Sequence, residues 1–306
     1  MEGLTGYIYR NAYHHHFMPM DKYFAPFIVA TSNRKMNHRE WSDLLPEHNQ
    51  ELTLIPQILT NKMEDFLNTA SRLWEMGYQE INLNLGCPSK TVVTKGKGSG
   101  FLDKTIELER FLDQIFSRLE GKLSIKTRIG RFEADEFERI LEIFNRFPLE
   151  ELIIHPRVQT DYYNNQPDME AFRLGYQNSK TKVCYNGDVF SLERADEIFA
   201  QFTNLDSMML GRGMIRNPDL RNLLEERENG QQNQERAQRW ESFHNEIFDG
   251  YEQAFDGDRP VLFKMKEIWL YMQECFENSE KMIKKIKKSK NLREYDRIIQ
   301  EMKEEY

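Results

Sequence analysis

Seven short apolar runs alternate with helical stripes through the first two thirds of the chain, and this alternation limits the available folds most. The runs are 25–31, 53–59, 79–85, 122–127, 151–155, 182–185 and 205–210. Several are almost continuously apolar, as strands covered on both faces are. Between them, Met63, Phe66, Leu67, Ala70 and Trp74 recur at helical spacing, with Asn61 placed to cap the start and Gly77 to end it. Leu108, Phe111, Leu112, Ile115 and Leu119 form a second stripe ending near Gly121, and Phe137, Ile140, Leu141, Phe144 and Phe147 a third stopped by Pro148. Repeated strand–helix units imply a parallel sheet, open or closed into a barrel.

A TIM (β/α)8 barrel has eight strands. The chain opens on a loop-like Met1-Glu2-Gly3-Leu4-Thr5-Gly6 followed by a helix over 7–17, so the first barrel strand is expected upstream of Met1. After about Asn217 strand signals stop and charged helical sequence runs to Tyr306. The expected division is a barrel over 1–225 and a helical domain over 226–306. A length of 306 residues suits one barrel with an appendage, and 39% hydrophobic with 30% charged residues reads as a globular chain. No apolar run reaches the ~18 residues of a membrane span. No secretion signal is visible at the N-terminus, and no membrane partner is expected.

Cys87, Cys184 and Cys275 are widely spaced and form no CxxC pair, which fits a reduced, cytoplasmic setting. Cys184 and Cys275 read as small buried hydrophobes. Consecutive His14, His15 and His16 diverge by about 100° each on a helix, so no metal is expected there.

The densest chemical signal is Ile81-Asn82-Leu83-Asn84-Leu85-Gly86-Cys87-Pro88-Ser89-Lys90, followed by Gly96-Lys97-Gly98-Ser99-Gly100. It sets Cys87 in a loop at the carboxyl end of a strand, where barrel active sites form. The glycines let backbone approach a ligand closely. A thiol of pKa about 8.5 is protonated at neutral pH and can donate a proton as well as act as a nucleophile. Asn186-Gly187-Asp188 and Gly211-Arg212-Gly213 follow the last two strands, where this fold commonly binds phosphate. Lys126 and Arg128 alternate with apolar residues and so face the barrel interior, where a lysine needs a partner. A flavin that gains negative charge on reduction suits that position; a structural ion pair is the alternative. His155-Pro156-Arg157 ends another strand, and Gln57 offers amide groups near a strand end, with structural roles open for both His155 and Gln57.

The net charge of −8 argues against general nucleic-acid affinity. A local basic patch does exist: Lys281, Lys284, Lys285, Lys287, Lys288, Lys290 and Arg293 occur without an intervening acid. It reads as a solvated face or as a polyanion site. Upstream, Leu262, Met265, Trp269, Met272 and Phe276 form a docking stripe flanked by Lys264 and Lys266.

Residues 79–102 resemble the signature of the dihydrouridine synthase family, in which a strand leads into Asn-x-Gly-Cys-Pro and a glycine-rich loop. The resemblance extends in order through Glu2–Thr5, Gln57, Lys126-Thr127-Arg128-Ile129-Gly130, His155–Tyr163, Asn186–Asp188 and Gly211–Pro218. The glycine loop departs mildly, reading Gly-Lys-Gly-Ser-Gly-Phe-Leu, and the family's opening strand would precede Glu2. The resemblance implies an FMN-dependent barrel with a tRNA-binding helical domain and NADPH as reductant. It implies hydride transfer to C6 of uracil with Cys87 protonating C5. Gln57, Lys126, His155, Asn186, Gly187, Asp188, Gly211 and Arg212 are then expected at FMN. Asn84, Arg128, Arg157, Lys264 and Lys266 are expected at the substrate. Two other readings remain: a flavin barrel resembling dihydroorotate dehydrogenase, acting on a free small molecule, and a non-catalytic RNA-binding scaffold. Steeply salt-dependent binding of transfer RNA separates the first, and turnover that depends on Cys87 the second. Neither the uridine position nor the oligomeric state is legible.

Overall fold

The computed structural model describes residues 1–31, 36–229, 234–272 and 280–305. The apolar runs form seven strands: β1 (Tyr23–Val29), β2 (Leu54–Leu59), β3 (Glu80–Leu85), β4 (Lys122–Gly130), β5 (Leu152–Val158), β6 (Val183–Tyr185) and β7 (Ser207–Met208). In chain order the first helices are α1 (Tyr7–His16), α2 (His38–Leu44), α3 (Met63–Glu75), α4 (Lys90–Val93), α5 (Thr105–Phe116), α6 (Glu136–Phe144) and α7 (Met169–Asn178). Then follow α8 (Leu192–Gln201), α9 (Arg212–Arg216), α10 (Leu220–Asn229), α11 (Gln234–Ala254), α12 (Asp258–Met272), α13 (Glu280–Lys288) and α14 (Leu292–Glu305). The chain packs as two compact units, one of Lys22–Asp188 with Ile198–Leu210, the other of Met1–Asp21, Val189–Glu197 and Gly211–Tyr306.

The first unit carries the sheet. All neighbouring strands are parallel and lie in the order β1 to β7, the order of a TIM barrel. β2, β3 and β5 are buried along their whole length, which explains their near-continuous apolar sequence. Polar residues stand at alternate positions on one face of two neighbouring strands: Asn82 and Asn84 in β3, Lys126 and Arg128 in β4. The register pairs Asn84 with Lys126, and Arg128 with His155.

The helical stripes hold with local corrections. In α3 the buried residues are Asp65, Phe66, Ala70 and Leu73, while Met63, Leu67 and Trp74 are only half-buried. The Trp74 indole instead meets Gly121, where a Cβ would fall 2.5 Å from Nε1. Asn61 does not cap α3: Lys62 is the N-cap, and the Asn61 amide donates to the carbonyls of Lys95 and Gly96, both at 3.1 Å. The stripes of α5 and α6 are buried as expected, but both helices stop short of Leu119 and Phe147. Phe147 stacks on Phe116 at 5.2 Å.

The second unit is helical. Phe243 of α11 meets Tyr9 at 5.4 Å and Phe17 at 5.0 Å, fixing α1 against α11. His15 Nδ1 and His16 Nε2 lie 2.7 and 2.6 Å from the two carboxylate oxygens of Glu246. Consecutive histidines thus do converge on one group, because they use opposite ring nitrogens and a two-oxygen acceptor. Among the described residues no cluster of three or more His, Cys, Asp or Glu side chains is arranged to hold a metal. Leu262, Met265, Trp269 and Met272 of α12 are buried, and Phe276 lies outside the described residues. Trp269 Nε1 donates to the Tyr295 hydroxyl at 2.8 Å, and His244 Nε2 lies 2.7 Å from the same oxygen. Burial pushes His244 down to about 4, so it packs as a neutral ring. Gly213 is sterically required, since a Cβ there would fall 1.9 Å from the Val189 carbonyl oxygen. Among the described residues no helix is long and apolar enough to cross a membrane.

Candidate active site

A line of buried side chains fixes the end of β3. Asn82 Nδ2 donates to Ser124 Oγ at 2.9 Å, and Gln57 Nε2 donates to Asn82 Oδ1 at 2.9 Å. Asn84 Nδ2 donates to Gln57 Oε1 at 2.7 Å, and Asn84 Oδ1 accepts the backbone N–H groups of Gly86 at 3.1 Å and Cys87 at 2.9 Å. Such a chain rigidifies because each amide both donates and accepts along it. Gln57 keeps one N–H and one lone pair uncommitted in this chain, enough for the edge of a planar heterocycle.

The glycine-rich loop buttresses Cys87 from behind. Ser99 donates to the Cys87 carbonyl from its backbone at 3.1 Å and from Oγ at 2.8 Å. Gly98 has φ +56°, and a Cβ there would lie 2.7 Å from that carbonyl oxygen. The close approach expected between this glycine loop and a ligand is therefore, at Gly98, an approach to the cysteine's own backbone. Cys87 itself is half-buried.

Lys126 stands beside Asn84 in the register, within electrostatic reach of Cys87 and Cys184. Among the described residues its ammonium makes no hydrogen bond or ion pair. The partner expected for an interior lysine is thus not supplied by the barrel. Burial, and then the like charge of Arg128, lower it to about 8. Cys184, pushed up to about 12 mainly by burial, stays a neutral thiol, as its reading as a small hydrophobe requires. Cys275 lies outside the described residues.

A lysine whose folded-state pKa lies below its unfolded value costs stability wherever both states carry the proton. That cost fades as pH rises through the folded value. Lys126→Met is accordingly expected to stabilise the flavin-free protein at pH 7, on the order of 1–3 kcal/mol. The gain should shrink between pH about 8 and 10.5. Urea unfolding across that range checks it, and a pH-independent difference would refute the assignment.

Arg128 is wholly buried and donates to three carbonyls: Gly86 from Nε at 3.1 Å, Val158 from Nη1 at 2.7 Å and Tyr162 from Nη2 at 2.6 Å. Arg157 joins three groups in the same way. Its Nη1 donates to His155 Nε2 at 2.9 Å, its Nε to the Asn165 carbonyl at 2.6 Å, and its Nη2 to Asp188. Arginine cannot accept, so His155 Nε2 is unprotonated and the ring proton sits on Nδ1. Asn186 donates its amide to the Met209 carbonyl at 2.8 Å, which ties the end of β6 to the segment after β7. Gly187 packs so that a Cβ would meet the Tyr185 hydroxyl at 2.9 Å.

In the helical unit, Gly211 precedes α9 with open space where a Cβ would stand, and the Arg212 guanidinium lies 5.4 Å from the Phe190 ring centroid. Lys264 donates to the Gly3 carbonyl and pairs with Glu267 at 2.9 Å, and Lys266 donates to the Ser289 carbonyl. Exposed cations cluster on α13, which buries Met282, Ile283 and Ile286 and turns Lys281, Lys284, Lys285, Lys287 and Lys288 outward, with Lys285 paired to Glu301 at 2.6 Å.

The profile of the Dihydrouridine synthase (Dus) family matches residues 13–306. The chain belongs to the dihydrouridine synthase family. A protein named tRNA-dihydrouridine synthase B from Pasteurella multocida (strain Pm70) is 26% identical to this family member over 200 residues, 64% of this chain and 60% of that protein. A probable tRNA-dihydrouridine synthase from Helicobacter pylori (strain ATCC 700392 / 26695) is 33% identical over 140 residues, 45% of this chain and 42% of its own. One from Staphylococcus aureus (strain COL) is 27% identical over 230 residues, 71% and 67% respectively. The match thus spans 60% and 42% of the length of the first two relatives.

Sequence reading missed several supports in this barrel. Asn82 and Ser124 carry the hydrogen-bond line at the end of β3, and their alternation with Asn84 and Lys126 was the signal that could have revealed them. The pairing of Arg157 with Asp188 had no such signal, since the two are 31 residues apart on different strand ends.

Proposed function

We propose that the chain reduces the C5=C6 bond of a uridine in transfer RNA, with FMN as redox cofactor, NADPH as electron source and Cys87 as proton donor. One juxtaposition carries this reading: a half-buried thiol at the end of β3 within electrostatic reach of an ammonium that the protein leaves without an ion-pair partner among the described residues. The residues present fit a flavin. Lys126 offers uncompensated positive charge, and Gln57 retains a donor and an acceptor. FMN, when bound and reduced, supplies the hydride that adds to C6.

The chain's own residues do the rest. Cys87 Sγ gives its proton to C5, so the pyrimidine gains one hydride and one proton, and the thiolate regains a proton from water through its exposed side. Asn84, by gripping the Cys87 backbone N–H, sets where the sulfur points. His155, Asn186, Gly187 and Asp188 are assigned to the cofactor, with Asp188 held in place by Arg157. Gly211 and Arg212 are assigned to its phosphate. Arg128 and Arg157 act near the substrate through the loops they hold. Residues 1–225 form the catalytic part and 226–306 the RNA-binding part, where the α13 lysines meet phosphates, with Lys264 and Lys266 on the neighbouring helix. A cytoplasmic setting follows from this reading.

The test is direct. Purified protein supplied with FMN, NADPH and unmodified transfer RNA transcripts should form dihydrouridine, detected by mass spectrometry, and RNA binding should weaken steeply with salt. A flavin-loaded protein that binds no RNA, or leaves every uridine intact, would overturn the proposal.

A further inference from the structure

The loops that follow β4 and β5 combine rigid backbone with exposed aromatic side chains. Phe132, Tyr162 and Tyr163 are 51%, 42% and 50% exposed, at the carboxyl ends of adjacent strands. Their backbones are held firmly. Glu136 accepts the N–H groups of Arg131, Phe132 and Glu133 at 2.8, 2.8 and 2.9 Å. The two loops join where Thr160 N–H donates to the Arg131 carbonyl at 3.2 Å. Arg128 holds the Tyr162 carbonyl at 2.6 Å, and Arg157 the Asn165 carbonyl at 2.6 Å. Tyr162 has φ +51° and ψ −96°, a conformation a bulky residue rarely adopts and one that only surrounding structure sustains. The same Arg128 also grips the Gly86 carbonyl, so the aromatic loop and the Cys87 loop share one anchor.

Residues 162–166, Tyr-Tyr-Asn-Asn-Gln, are all exposed and carry no charge. Among the described residues the side-chain amides of Asn164 and Gln166 make no hydrogen bond. The Arg131 guanidinium lies 4.8 Å from the Phe132 ring centroid and is paired with Asp103, and exposed Glu133 and Asp135 flank the ring, so its remaining exposed surface favours the uncharged face of a base over a phosphate. Aromatic planes flanked by amides are the chemistry that reads unstacked nucleobases.

We propose that Phe132 and Tyr162 form a stacking platform for the base next to the uridine being reduced, with Asn164 and Gln166 reading its edge. This rests on the function proposed above, and it makes these positioning residues rather than catalytic ones. Tyr163, whose ring lies 5.3 Å from the Arg128 guanidinium and 6.0 Å from His155, borders the platform on its inner side.

The test uses the FMN-loaded full chain with transfer RNA. Tyr162→Ala and Phe132→Ala should each raise KM by about 5- to 100-fold, the range for losing one base–aromatic stack, with kcat within about twofold. Tyr162→Phe should restore KM. A single-stranded RNA probe carrying 2-aminopurine beside the target uridine should be quenched by the parent protein and not by Tyr162→Ala. Melting temperatures of the variants show whether each folds. Parent turnover with KM and quenching unchanged in both alanine variants would overturn the platform while leaving uridine reduction standing. A parent that reduces no uridine would overturn both.

Discussion

A Cys87→Ala protein is expected to retain its fold and its flavin but to lose uridine reduction by about 10²–10⁴-fold, the usual contribution of a positioned general acid. The fold should tolerate the change. Cys87 is half-buried, and its supports act on backbone: Asn84 Oδ1 on its N–H, Ser99 and Gly98 around its carbonyl. Removing Sγ breaks none of them. Flavin reduction by NADPH should proceed at the parent rate, because the proton to C5 is needed only after hydride arrives at C6. Rapid mixing with transfer RNA separates the two half-reactions. Undiminished turnover by Cys87→Ala would refute the proton-donor assignment, and loss of flavin would show that the thiol serves the cofactor instead. Cys87→Ser keeps a proton but of far weaker acidity, and should fall between the two.

The largest effect on stability is expected at Arg128. Truncation to alanine would leave the carbonyls of Gly86, Val158 and Tyr162 without their donor and open a void in the barrel. Orphaned buried acceptors cost about 1–3 kcal/mol each, and partial hydration reduces the sum, so a loss on the order of 3–5 kcal/mol is expected in urea unfolding. Arg128→Lys should recover only part, because one ammonium cannot span three acceptors fixed for a planar fork. Both variants should also slow turnover, since the Cys87 loop and the Tyr162 loop lose their shared anchor. An Arg128→Ala protein as stable as its parent would show that these carbonyls reach water without strain.

Much of the fold could be read beforehand. Each apolar run is a strand, and the ends moved by at most three residues, because hydrophobic patterning registers burial on two faces while ends depend on hydrogen bonds to a neighbour. Asn61 and Trp74 show where this reasoning stops. Both fit the helical pattern, yet Asn61 found better acceptors in a loop more than 30 residues away, and Trp74 took the space left by Gly121. The site divides the same way. Lys126 and Arg128 stood out as polar residues where apolar ones were due, and Cys87 as a thiol in a loop at a strand end. Nothing local announced that Lys126 would lack an ion-pair partner among the described residues while Arg128 would have three acceptors.

The amino-acid sequence alone determined where the strands run, the inward face of Lys126 and Arg128 and the position of the thiol at a strand end, since these follow from apolar runs, from alternation in β4 and from one motif. Tertiary structure decided what each buried polar group touches. Partners on different strands lie tens of residues apart, and the geometry that matches one donor to one acceptor exists only once the sheet has set its register.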